Sequence, residues 1–575
     1  MGAVANAPDS SAYVVMIHGS RTGGLPVRWA GQPKLNLAGH AGNASGISGH
    51  DLFQSVVRTL TRWNRAAAGI LQWDYWQGTD RAQFPTSTGF DGSSSLHFAS
   101  QSTTPPPSNV IGLTQVWYRQ ETGEILETDI ILNDLQFSFS MNPQDSSANF
   151  GSRRVFLENV LAHELGHAWG LGHSGVHSST MFYSEGPEQA VLGCDDATGV
   201  RALYLARNPA PRGAIQGTIL SSETSQPIFG AHVVAVSQAR GVVMASALTE
   251  ANGRYQIHGL EPGAYYVMVE PYTAGASALP KFYESSSSRV CGGGARFFHR
   301  TFYTREAHLP MAVEIAPNEI RELGTLNARC SGTMAPIFPA GSIGELSTVR
   351  GQDSSSEGDG VIFTLAQTQG SASFELEHLG GPLRISALSH SLYSPVDLRL
   401  QILDSTGNAV VGELHQDQYR GDSGWILRDA RFRAQNSLPG GRYTVRVFGS
   451  GIPSQAFPSG SALESQPSVL LTVTRRESVA DTAHALPENG RCRVAETPVN
   501  YQSPAGAPPK RLDPPSPSTS SGGGLFGACG SLKTSDRSSE FFQRQASDWM
   551  GVLLPWVMMF LGFWFLRWTP KLVPR

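Results

Sequence analysis

Charge of neither sign is concentrated in this chain. Charged residues are 16% of the 575 and the formal net charge is −4. There is no basic block to hold nucleic acid and no acidic tail of the chaperone kind. Cysteine is scarce as well. Cys194, Cys291, Cys330, Cys492 and Cys529 are scattered, odd in number and without zinc-finger spacing. That excludes a small disulfide-stapled scaffold, although Cys291 and Cys330 could bridge within one module. A complete signal peptide is also missing. The opening MGAVANAPDSS carries small residues at Ala3, Ala5 and Ala7, like the end of a cleavage region, and reads as a truncated or mis-assigned start. Glycine (62) and proline (36) are plentiful, and Ser/Thr runs recur. They favour β-rich, loop-rich modules, and the length requires several domains.

Long apolar runs are absent with one exception. Residues 549–566, WMGVLLPWVMMFLGFWFL, carry no charge, have Trp549, Trp564 and Trp568 near their ends, and are followed by Arg567, Lys571 and Arg575. The length suffices to span a bilayer. Interfacial tryptophans and a basic flank predict that everything upstream lies outside the cytoplasm. The Pro/Ser/Gly-rich stretch at 476–548 reads as a flexible linker leading to this segment.

Residues 1–210 read as a mixed α/β unit. Leu52, Phe53, Val56, Leu60 and Trp63 recur at helical spacing and predict a helix over 51–67. Residues 78–108 are polar and read as a long loop. The runs at 110–118 and 125–132 flank Glu121-Thr122-Gly123 and predict a hairpin. A second helix is expected over 154–169. A third is expected near Asp195-Asp196, with those two aspartates as capping residues.

On the second helix stands HELGHAWGLGH, residues 163–173. His163 and His167 are four apart, so their rings lie about 40° apart on one face and can share a metal ion. Gly170 permits the reversal that helix geometry cannot supply, and it brings His173 to the same ion. Three neutral histidines leave one tetrahedral position open for water, the catalytic rather than structural arrangement of zinc. Glu164 follows the first ligand. It is placed to take a proton from the activated water and return it to a leaving amine.

These eleven residues match the metzincin zinc peptidases. Ser174, PVRW at 26–29, the tryptophan in TRWN at 61–64 and LGCDDATGVRALY at 192–204 resemble the matrixin branch. The resemblance implies a single catalytic Zn2+ held by His163, His167 and His173, a peptide substrate, and Met181 as a hydrophobic floor beneath the metal. Tyr183 departs from it. Ser-x-Met-x-Tyr is more like the astacin and serralysin branches, which would make Tyr183 a fifth ligand or a transition-state stabiliser, with a structural hydroxyl as the other reading. No cysteine-switch segment is present, and the structural zinc and calcium ligands of animal matrixins are not recognisable, so Ca2+ has no supporting motif. His97 and His177 read as non-ligands.

Downstream, Gly217, Gly230-Ala231, Gly253, Tyr255, Leu260, Pro262-Gly263 and Tyr265 resemble the carboxypeptidase regulatory-like modules, small β-sandwiches, over 213–329 with an insertion near 273–308. Residues 331–475, with clear strands at 385–388, 396–408 and 438–451, resemble the pre-peptidase C-terminal type of sandwich. Both read as spacers. The whole chain is thus expected to join an α/β peptidase domain, two all-β sandwiches, a linker and a transmembrane helix. The expected function is that of a secreted or surface-tethered zinc endopeptidase. The alternative is a surface adhesin whose metzincin domain binds without cutting. Oligomeric state is not legible.

Overall fold

The computed structural model describes residues 17–18, 25–37, 44–67, 72–77, 90–102, 105–108, 110–143, 145, 153–176, 179–182, 185, 189–204, 212–238, 240–271, 298, 300–306, 309–329, 337–338, 343–345, 358–365, 370–389, 396–415, 429–451, 468–474 and 530–531. Tyr183, His177 and the apolar 549–566 segment lie outside the described residues. Among those described, no helix is long and apolar enough to cross a membrane.

The first unit is a twisted sheet with helices against it. Helix α1 spans Gly49–Ala66; the Ser48 hydroxyl accepts the Asp51 backbone N–H, and Asp51 and Arg65 complement the helix dipole at its two ends. Val56, Leu60 and Trp63 are buried along one face, as their spacing predicts. The sheet contains β1 (Lys34–Leu37), β2 (Asp74–Gln77), β3 (Ser95–Phe98), β4 (Gly112–Tyr118) and β5 (Glu124–Leu132). They are ordered β4-β5-β3-β1-β2, with β4 antiparallel to β5 and the other pairs parallel. The expected hairpin is β4 and β5, turning at Gly123, whose φ of 69° favours glycine. Gly530–Ser531 pairs in parallel with the outer edge of β4.

Two expectations change. The polar 78–108 stretch is not all loop, because it contains β3. All four residues of that strand are buried. An inner parallel strand is covered on both faces, so Ser95 and His97 interrupt the apolar pattern without exposing it. Helix α2 runs Leu157–Ala168 rather than from 154. Residues Arg154–Phe156 (β7) are extended and pair in parallel with Ser138–Ser140 (β6). Every residue of α2 is buried, so it is a central element with no solvent face. Helix α3 spans Cys194–Leu203, and Cys194 is disulfide-bonded.

The second unit contains β8 (Gly213–Ser221), β9 (His232–Ser237), β10 (Val242–Leu248), β11 (Arg254–Leu260) and β12 (Gly263–Glu270). One sheet sets β8 between β11 and Ile320–Ala328. The other runs β10-β9-β12 and continues through Thr301–Phe302. Ile215 and Ile257 of the first sheet share a core with Val233 and Val267 of the second. The third unit pairs a six-stranded with a four-stranded sheet. Phe363 and Ile385 from one meet Phe374 and Val445 from the other. Both are sheet-on-sheet arrangements.

Candidate metal centre

Helix α2 carries His163 and His167 one turn apart, and the chain then turns back. Gly170 adopts φ 99°, and a Cβ there would lie 2.3 Å from the Val27 carbonyl oxygen, so glycine is needed twice over. Past that reversal His173 meets the other two. One ring nitrogen from each histidine lies within 4.8 Å of the others, and all three side chains are buried.

The hydrogen bonds settle which nitrogens face inward. His163 Nδ1 donates to the Thr180 carbonyl and His167 Nδ1 to the Leu171 carbonyl, each at 2.8 Å. A carbonyl oxygen only accepts, so both protons sit on Nδ1 and both Nε2 atoms carry lone pairs. Those two Nε2 atoms are 3.1 Å apart. His173 Nε2 is buried with no hydrogen-bond partner. Burial holds His163 down at about 4. It likewise holds His167 at about 3, helped by the His163 charge. His173 is also well below its usual range, first through burial. Neutral, converging lone pairs with no proton to share are costly, and a cation removes the cost. Three buried imidazoles that converge on one point suit zinc.

Glu164 is 1% exposed. Thr114 Oγ1 of β4 donates to its Oε2 at 2.6 Å. Burial pushes Glu164 up to about 8, while the Thr114 bond lowers it. Gly112, two residues before Thr114, makes room: a Cβ there would stand 2.6 Å from Glu164 Oε1. Neither Gly112 nor Thr114 is signalled by the sequence, since Thr114 alone is 50 positions from the Glu164 it meets.

Met181 lies beneath α2. A Cβ on Gly166 would come 2.1 Å from Met181 Sδ, so the helix is smooth where the methionine fits. The Ser174 N–H donates to the Met181 carbonyl at 2.8 Å. Asp196 pins this turn. It accepts the N–H groups of Thr180 (2.7 Å), Met181 (3.1 Å) and Gly193 (2.7 Å), and the Ser179 hydroxyl. The bond to Gly193 is the expected helix cap. The rest is a role that capping chemistry alone does not suggest. Asp195 does not cap; it accepts the Ser174 hydroxyl at 2.5 Å.

His97 is buried and held at about 4 by burial. It is not brought to the three histidines. On the sheet face away from Thr114 lies a carboxylate group that sequence reasoning missed. Glu127 Oε2 accepts backbone N–H groups of Asp91, Gly92 and Ser93, and Asp129 accepts the N–H and hydroxyl of Ser95. Burial and then the Asp91 charge raise Glu127 to about 7; burial and then Glu127 raise Asp129 well above the usual range.

Residues 77–205 match the family model for Matrixin, and 214–277 the one for Carboxypeptidase regulatory-like domain. Metalloendoproteinase 4-MMP of Arabidopsis thaliana is 41% identical over 73 residues, 12% of this chain and 20% of that protein. Matrilysin of Rattus norvegicus is 43% identical over 68 residues, 11% of this chain and 23% of that one. The chain thus spans about a fifth of the length of these curated relatives. Among solved structures, the pre-peptidase C-terminal domain of a collagenase from Bacillus anthracis aligns at 11% identity and a TM-score of 0.14, over 24% of this chain and 98% of that one. The first unit is therefore a matrixin-like domain, followed by a carboxypeptidase regulatory-like one.

Proposed function

We propose that this chain is a zinc endopeptidase, held at or released from a cell surface. The observation that carries this reading is the convergence of one ring nitrogen from each of three buried histidines, two of them held with Nε2 unprotonated, on the helix that also buries the Glu164 carboxylate. Zinc bound by His163, His167 and His173 supplies a Lewis acid that acidifies water and polarises a carbonyl. The Thr180 and Leu171 carbonyls fix the ring tautomers, which keeps the donor atoms aimed inward. Glu164 takes the proton of the attacking water at a carboxylate oxygen. It then delivers that proton to the departing amine, so a poor leaving group departs neutral. Thr114 orients that carboxylate. Met181 is the apolar floor of the site, and Tyr183 is a candidate fifth ligand or stabiliser of the developing oxyanion, with a structural hydroxyl as the other reading. A binding-only domain gains nothing from burying Glu164 at this position, and burial of an ionisable group is costly.

The two β-rich units extend over 213–329 and 331–475. The apolar 549–566 segment, with its tryptophans and basic flank, supports a membrane anchor that places the peptidase outside the cell. The test uses the full chain. Wild type is expected to hold one zinc per molecule and to cleave members of a diverse peptide library, with a chelator abolishing cleavage. Glu164→Gln is expected to retain zinc and lose roughly 10²–10⁴-fold in kcat/KM. A wild-type protein that binds zinc and cleaves nothing in the library overturns the reading.

A further inference from the structure

The loop from His173 to Met181 carries the third ligand and the methionine, yet it does not rest on the first unit alone. Val176, in the middle of that loop, is 1% exposed. It packs in one cluster with Val234, Val236, Val243 and Met268 of the second unit and Leu470 of the third. The residue after the last ligand, Ser174, bonds Asp195 on α3. The Ser246 backbone, in β10 of the second unit, lies close enough to the same carboxylate to favour its charged form. Strand β10 is the edge of its sheet, yet all seven of its residues are buried, because α3 lies against it. An edge strand can spend its outward N–H groups on such a neighbour without breaking the ladder. Farther along α3, Arg201 joins the Ala66 carbonyl at the end of α1 to Glu261, in the turn between β11 and β12.

We infer that the β-sandwich over 213–329 is a working part of the metal site, holding the His173–Met181 loop through Ser246, Asp195 and Val176. It is not a spacer. Asp195, Ser246 and Val176 are positioning residues: none touches the metal position, and each fixes a neighbour of His173. This rests on the zinc-peptidase reading above and assigns the second unit a role within it. Partners of this kind are worth about 10–100-fold in metal affinity.

The experiment is zinc affinity by chelator competition on the full-length chain, with the visible spectrum of the cobalt-substituted protein as a geometric readout. Ser246→Pro alters the β10 backbone beside Asp195 at an edge position where proline is tolerated. Val176→Ala opens the shared cluster beneath the loop and is the milder change should the proline variant fail to fold. Ile257→Val trims the second unit's own core without touching the loop. Ser246→Pro and Val176→Ala are expected to weaken zinc binding at least tenfold and shift the cobalt spectrum, while Ile257→Val keeps wild-type affinity. Unchanged affinity in folded Val176→Ala overturns the inference, as does an equal loss in Ile257→Val, which would make the effect one of global stability. Wild-type zinc content and cleavage are read in parallel, so the inference can fail while the peptidase reading stands.

Discussion

At the residue scale the site depends on two positions of β4 that carry no reactive group. Gly112 leaves the space that the Glu164 carboxylate fills. Gly112→Ala is expected to displace that carboxylate and lower kcat by tenfold or more while zinc affinity holds, since the atoms nearest a Cβ at 112 all belong to Glu164. Steady-state kinetics beside chelator competition separates the two, and a parallel loss of zinc would refute it. Thr114 acts through charge. Its hydroxyl favours ionised Glu164 against the burial that raises it to about 8. Removing that hydroxyl in Thr114→Val raises the carboxyl further. A base must be deprotonated to work, so the acid limb of the kcat/KM profile should move to higher pH. An unshifted limb would show that the group titrating in that profile is not Glu164. Divalent zinc lowers the absolute position of the limb in both proteins, so the comparison between them carries the test.

At the element scale, α2 and the turn containing Met181 behave as a lock. Gly166 on the helix admits the Met181 sulfur, and Asp196 on α3 ties down three backbone N–H groups of the turn and its flank. Gly166→Ala forces a Cβ against both Met181 and Trp63 and should cost about 1–3 kcal/mol, read by urea unfolding. Asp196→Ala orphans buried donors and should cost at least as much. Equal stability of either variant with wild type would mean that the turn is held elsewhere. What the sequence made legible here follows range. HELGHAWGLGH encodes its own geometry, because three ligands and a base lie within eleven residues and the chain reverses at Gly170. Helix α1 and the β4–β5 hairpin are equally local patterns. Strand β3 escaped because Ser95 and His97 break the apolar run of a doubly covered strand. Thr114, Gly112 and the Glu127–Asp129 pair escaped because their partners are set by sheet register, which no spacing in the chain displays. Asp195 and Asp196 were visible as a pair near a helix start, and only the fold shows that they face Ser174 and the turn.

At the scale of the whole molecule, ionisable groups outside the metal centre tie its units together and set how the chain answers to pH. Glu261 meets Arg201 from the first unit, Arg212 from the segment between units and Arg240 from the second. Burial opposes its ionisation, but Arg240, Arg212 and Arg201 outweigh burial and hold it at about 2. A carboxyl lowered on folding contributes stability that is complete above its ordinary value of 4.5 and is lost as pH falls towards about 2. Glu127 has the opposite sign. Burial and Asp91 raise it from 4.5 to about 7, so the folded chain binds the extra proton and stability falls as pH rises across that interval. Acid also strips zinc from histidines, which would obscure either effect in wild type alone. Differences between variants cancel that shared loss. Urea unfolding from pH 2 to 8 should show the Glu261→Gln deficit shrinking as pH drops below about 4.5. Glu127→Gln should instead gain on wild type as pH rises from about 4.5 to 7, because the amide keeps acceptor capacity for the Asp91, Gly92 and Ser93 N–H groups and never has to ionise. A Glu261→Gln deficit that stays flat to pH 2 would mean that the three arginines do not act as a clamp between the units.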